Sequence, residues 1–342
     1  MKNKSQLILI CISSLILLTG CGGGGANVQP TVIDNFNISQ GVADTKEGAT
    51  YIQEFLTSQG SNTLVSTMYS RIDLDGLSDI HSEGWTGEGK TISILDSDSY
   101  TNSGHGRNVS DIARMVAPGA TRNEYVLGGL NSDENISTMA SEVITSSAGF
   151  VPSQISSDGD LAAYMDNLVS SMKNSDAVIT IAAQHSNWSG TRTNGGESEV
   201  GRGGFTNCSN TDAMTIETCN SWAVDELDSD NVIYVGEVDS NGNIPWWSNQ
   251  AGSTYKNQFL ATSSDEITVA SDNNPDGNSY AAPRVAGAAA LVRHKFPNLT
   301  GAQTATVILH TADDLGASGI DEVYGHGELN VGKALSPVGN LH

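Results

Sequence analysis

Cationic side chains are scarce in this chain: 16 Lys and Arg stand against 39 Asp and Glu over 342 residues, a formal net charge of −23. That deficit argues against a nucleic-acid partner, because binding to a phosphate backbone rests on Lys and Arg. Cysteine is scarce as well. Of the four, Cys11 and Cys21 sit near the N-terminus, which leaves Cys208 and Cys219 for the rest of the chain. Neither of these has the CxxC spacing of a zinc or redox site. The apolar run at the N-terminus, Leu7 to Leu18, is twelve residues long, short of the ~20 a membrane-spanning helix needs. No internal repeat is present, so nothing points to a solenoid.

What stands at the N-terminus is Lys2 and Lys4, then that apolar run, then Leu18-Thr19-Gly20-Cys21. This is the layout of a secretory signal over residues 1–20. Its end resembles the lipobox of bacterial lipoproteins. The resemblance implies cleavage before Cys21, a lipid on the Cys21 thiol, and a flexible tether over 21–45 that starts with Gly22 to Gly25. Gly22 stands where an Asp retains some lipoproteins at the inner membrane, which favours the outer membrane of the bacterial cell envelope. The alternative is a plain secreted protein cut elsewhere. Loss of the signal removes two Lys and no acid, so the net charge moves to −25. An excess of that kind keeps a chain soluble and is more often a solvated surface than a set of sites. In an oxidising compartment, Cys208 and Cys219, with ten residues between them in a polar stretch, suggest a disulfide.

The roughly 320 residues beyond the signal suffice for one large α/β domain. Residues 46–83 form an N-terminal extension with weak helical patterning at Tyr51, Ile52, Phe55 and Leu56. From Gly84 the pattern sharpens. Thr91-Ile92-Ser93-Ile94-Leu95 is a β-branched, apolar run that suits a buried parallel strand, and Asp96 stands at its carboxyl end. In open α/β sheets that end collects ligands and catalytic groups. After Gly104-His105-Gly106, the positions Val109, Ile112, Ala113 and Val116 follow one face of a helix, which puts His105 at a helix start. Near the C-terminus, Gly277-Asn278-Ser279-Tyr280-Ala281-Ala282-Pro283 runs into a small-residue helix. A serine there lies beside the free N–H groups and positive dipole end of the first turn. Pro283 is expected to fall among the early positions that have no intrahelical N–H bond to lose. The plainer reading makes Ser279 a cap for its own helix.

The string GNSYAAPRVAGAAALV is similar to the serine motif of the subtilisin-like serine proteases, Gly-Thr-Ser-x-Ala-x-Pro-x-Val-x-Gly, with Asn278 in place of Thr. GWTGEGKTISILDSD resembles the aspartate motif of that family, with Asp96 rather than Asp98 on the catalytic position, and HGRNVSDIARMVAPGA resembles the histidine motif. The resemblance covers about 84–335 and implies a three-layer fold, a mostly parallel sheet with helices on both faces. It implies a serine endopeptidase acting on protein or peptide substrates: Ser279 as nucleophile, His105 as base, Asp96 as its partner. Ser147, Ala148 and Gly149 would line the primary specificity pocket and pair with substrate backbone. Only eight residues separate Asp96 from His105, a short connection for the family but an ordinary one for a βα loop. A second Gly-His-Gly, around His326, resembles the structural C-terminal segment. His81, His294, His310 and His342 default to surface or packing roles.

Two departures bear on activity. Where the family places Ala-Ala-Gly-Asn, whose Asn donates to the oxyanion, this chain has Ala182-Ala183-Gln184-His185, with Asn187 two places on. His185 and, less directly, Asn187 are the candidates for that donor. Residues 46–83 are also too short to resemble the usual folding prodomain. No organic cofactor is implied. Structural calcium is common in the family, but no ligand spacing places a metal here. The rival to an enzyme is a catalytically silent relative that binds peptides or surface partners.

Overall fold

A computed structural model describes residues 76–96, 100, 104–126, 140–147, 170, 174–183, 229–245, 248–264 and 277–337. Its frame is a six-stranded, wholly parallel sheet: β1 (Thr91–Asp96), β2 (Thr121–Val126), β3 (Val143–Ser146), β4 (Val178–Ala182), β5 (Val232–Val238) and β6 (Phe259–Ser263), in the order β2-β1-β3-β4-β5-β6. The described helices are α1 (Leu77–Ser82), α2 (His105–Val116), α3 (Gly252–Tyr255), α4 (Asn278–Lys295), α5 (Gly301–His310) and α6 (Val331–Leu335).

Both faces of the sheet are covered, as the alternation along each strand shows. Ile92 and Ile94 of β1, Val178 and Ala182 of β4, and Ile233 and Val235 of β5 join one cluster with α2, α4 and α5. Their neighbours Leu95, Ile179, Ile181 and Tyr234 point the other way and are equally buried. On that second face the Tyr234 ring meets Tyr255 of α3, with centroids 4.7 Å apart. The strand order reverses between β1 and β3. In a parallel sheet the crevice outside the carboxyl ends at such a reversal is where ligands bind, and Asp96 and Ser147 stand on its two sides.

Helix α4 runs through the core with small residues on every side, so it has no solvent face to display. Gly287 lets it lie against α2: a Cβ there would come within 2.5 Å of the Val116 Cβ. Pro283 is not in the first turn, as expected from the sequence, but is the sixth residue of α4. At that depth it removes the bond that its N–H would give to the Ser279 carbonyl. The freed oxygen is taken up from outside the helix: the Ser147 hydroxyl donates to it at 2.7 Å. The cap is Gly277, with no side-chain bond, so Ser279 does not cap its own helix.

Among the described residues, His81, His294, His310 and His326 serve the packing. His294 Nδ1 accepts the backbone N–H groups of Thr86 and Gly87, at 3.3 and 3.2 Å, which fastens the turn before β1 to the end of α4. His81 donates from Nε2 to the Val116 carbonyl at 2.8 Å. His326 is buried against His310, rings 4.9 Å apart. Burial, reinforced by His310, depresses its pKa to about 4. Since the unfolded chain holds that proton up to a pKa near 6.5, the neutral ring supports the fold fully above about pH 6.5. That support is lost as the pH falls toward 4, about 3 kcal/mol in all. Urea unfolding at pH 7 and pH 4.5 is expected to show a larger acid loss for the native chain than for His326→Asn.

Candidate active site

The aspartate is placed by β1 and the histidine by α2. Asp96 is the last residue of β1 and is fully buried, whereas His105, the first residue of α2, leaves 31% of its side chain exposed. His105 Nδ1 lies 2.8 Å from Asp96 Oδ2. A carboxylate oxygen only accepts, so Nδ1 is the donor of this bond and Nε2 is the nitrogen that can take up a proton, on a side chain that solvent can reach. Tyr100, on the short connection between them, hydrogen-bonds through its hydroxyl to the carbonyls of Ile94 and Tyr125, at 2.9 and 3.1 Å, and so ties β1 to β2. Burial, then the charges of Asp96 and Glu124, raises its pKa, so it stays a phenol.

Ser279 is the second residue of α4, and the residue after it, Tyr280, packs its ring on the imidazole of His105, centroids 5.0 Å apart and planes tilted by 44°. The serine's turn and the histidine are thereby neighbours. Ser279 and Ser147 are tied reciprocally: Ser279 Oγ donates to the Ser147 carbonyl at 3.1 Å while the Ser147 hydroxyl donates to the Ser279 carbonyl. The Ser147 N–H in turn donates to Leu95, beside Asp96, at 3.2 Å. One residue at the end of β3 therefore joins the aspartate strand to the serine helix.

Before the serine, Gly277 adopts φ 137°, a backbone region open in practice only to glycine. The motif's first glycine is thus a steric requirement of the turn. The crevice assembled here holds an imidazole with a buried carboxylate behind it and a hydroxyl on the adjoining helix turn, the parts that acyl transfer requires.

Two contacts of this crevice go beyond what the motifs imply. The resemblance gives Ser147 a substrate-facing place, but its hydroxyl also repairs the helix broken by Pro283, a proline four residues after the serine. The seat of Tyr280 on His105 carried no signal beyond adjacency to Ser279. Ala148, Gly149, His185 and Asn187 lie outside the described residues, as do Cys21, Cys208, Cys219 and the signal and tether segments. Among the described residues, no group of three or more His, Cys, Asp or Glu side chains is arranged to hold a metal ion.

The Subtilase family model matches residues 55–327. The chain belongs to the subtilase family. An extracellular serine protease of Serratia marcescens is 43% identical over 63 residues, 18% of this chain and 6% of that protein. The Neisserial autotransporter lipoprotein NalP of Neisseria meningitidis is 43% identical over 60 residues, again 18% of this chain and 6% of the relative. The aligned part is thus a small fraction of either relative's length. Among solved structures, a lanthipeptide protease superposes with a TM-score of 0.53 at 18% identity, covering 81% of this subtilase and 96% of that protein, which shows the shared fold.

Proposed function

We propose that this subtilase is a serine endopeptidase of the bacterial cell envelope, with Ser279, His105 and Asp96 as its catalytic residues. The observation that carries the reading is the 2.8 Å bond from His105 Nδ1 to buried Asp96, on an imidazole that packs against the Ser279 turn. In the free protein the Ser279 proton points to Ser147. On attack it turns to His105 Nε2: Oγ bonds the scissile carbonyl carbon, the carbonyl π pair moves to oxygen, and the imidazole becomes a cation held by Asp96. The cation then protonates the leaving amine as the C–N bond breaks, and water repeats the sequence to free the acid. The Ser279 N–H, in the first turn of α4, supplies one donor to the oxyanion.

The second donor is proposed to be His185, with Asn187 as the lesser candidate. A ring N–H can serve where the family uses an amide. His185→Ala is expected to lower kcat by about 10²–10³ with little change in KM, the range known for loss of such a donor in subtilisin, a member of this family. Unchanged kcat would remove His185 from the mechanism. Ser147, Ala148 and Gly149 are proposed to line the pocket for the residue before the cut. A silent binding relative is the second reading, favoured by Gln184-His185 and by Asn278. Peptide hydrolysis by the purified protein, lost in Ser279→Ala, separates the two.

For location, we propose a lipid on Cys21, the outer membrane as its site, and a Cys208–Cys219 disulfide. The support is the Leu18-Thr19-Gly20-Cys21 pattern, together with a relative whose name records a lipoprotein. Intact-mass analysis of the mature, non-reduced protein is expected to show an acylated N-terminal Cys21 and a mass two hydrogens short of the free-thiol form. An unmodified N-terminus elsewhere, or two free thiols, would refute the respective half. No cofactor is proposed, and structural calcium stays open to a chelation test of thermal stability.

A further inference from the structure

In β5, within the apolar run Val232–Val238, one carboxylate is buried: Glu237, 1% exposed. Its Oε1 accepts the hydroxyl proton of Ser264, itself fully buried just past the end of β6. With its proton committed to Glu237, the Ser264 oxygen turns a lone pair outward, and the Gly277 N–H donates to it at 3.3 Å. Gly277 is the glycine at φ 137° that caps α4, and its carbonyl accepts the Tyr280 N–H at 2.8 Å. Both polar groups of the residue two before Ser279 are therefore held, one by the helix and one by Glu237 through Ser264. A second tie runs alongside, from Arg284 Nη1 to the Ser263 carbonyl at 2.9 Å.

The backbone of Glu237 reaches the other wall of the crevice. Its N–H donates to Ser248 Oγ at 3.0 Å, and the next residue, Asn249, donates from Nδ2 to the Ala183 carbonyl at 2.6 Å, immediately before Gln184-His185. We infer that Glu237, acting through Ser264, is a positioning residue: it fixes the Gly277 turn and hence the orientation of the Ser279 hydroxyl and N–H. The inference rests on the serine-peptidase reading. Its physical logic is that a carboxylate acceptor leaves the Ser264 hydroxyl one orientation, whereas without it the hydroxyl can rotate and release Gly277.

The test is steady-state hydrolysis of a peptide substrate by the full chain, normalised to sites labelled by a fluorophosphonate, together with thermal melting. Ser264→Ala and Glu237→Ala are each expected to lower kcat by about 10- to 100-fold with KM within about twofold. The double variant should be no slower than Ser264→Ala alone, since both residues act through one contact. Glu237→Gln keeps a carbonyl oxygen for the Ser264 hydroxyl and is expected to recover most of the loss. It also serves as the folded comparison if Glu237→Ala does not fold. An active native protein whose kcat is unchanged in Ser264→Ala, with only the melting temperature lowered, would make the contact a packing feature and overturn the inference. Losses that multiply in the double variant would do the same. A native protein that neither labels nor hydrolyses would overturn the peptidase reading itself, and the positioning role with it.

Discussion

Replacement of Ser279 by Ala is expected to lower kcat for peptide hydrolysis by about 10⁶-fold, the scale reached when the nucleophile of subtilisin, another family member, is removed. The substitution takes away the only atom that forms the acyl bond and leaves the rest of the crevice in place. Ser279 Oγ makes one described hydrogen bond, to the Ser147 carbonyl. The reciprocal bond, from Ser147 to the Ser279 backbone oxygen, does not depend on the side chain. Stability should therefore change little while activity collapses. Turnover and urea unfolding measured on one preparation check both halves. A loss of activity that tracks a loss of folding would instead make Ser279 a structural residue of α4.

Asp96→Asn is expected to cost about 10⁴-fold in kcat, the figure for the equivalent change in a serine protease of unrelated fold. Here the cause is legible in the geometry. Asp96 is fully buried and its Oδ2 accepts the His105 Nδ1–H, which makes Nε2 the ring nitrogen that takes the serine proton in the proposed mechanism. An amide NH₂ at that place would donate to Nδ1, move the ring proton to Nε2 and leave no base facing Ser279. The loss should shrink as the pH rises, because hydroxide can take over the task of the base. A pH-rate profile of Asp96→Asn parallel to that of the native protein would argue that Asp96 acts only through packing.

Much of this arrangement was legible in the sequence because it follows from periodicity and steric rules. The apolar run ending in Asp96, the spacing of Val109, Ile112, Ala113 and Val116 behind His105, and Gly277 before Ser279 each specify a local shape. Sheet order and carboxyl-end placement then bring distant residues to one crevice. What stayed hidden depends on contacts between segments remote in the chain. Pro283 was misplaced because the start of a helix with small residues on every side has no boundary signal in its pattern. The partner of the carbonyl it frees, Ser147, lies 132 residues away. Glu237 lies in the apolar run Val232–Val238, and its bond to Ser264 forms only where β5, β6 and the Gly277 turn meet.

The proposed mechanism turns on the activation of Ser279 by His105, backed by Asp96. A fluorophosphonate reacts with an activated serine whatever the substrate, so labelling followed by peptide mapping reports that activation. One phosphonylated residue, Ser279, is expected, with labelling lost in His105→Ala and strongly slowed in Asp96→Asn. A folded native protein that takes up no label, or takes it up elsewhere while His105→Ala labels as fast, would contradict it.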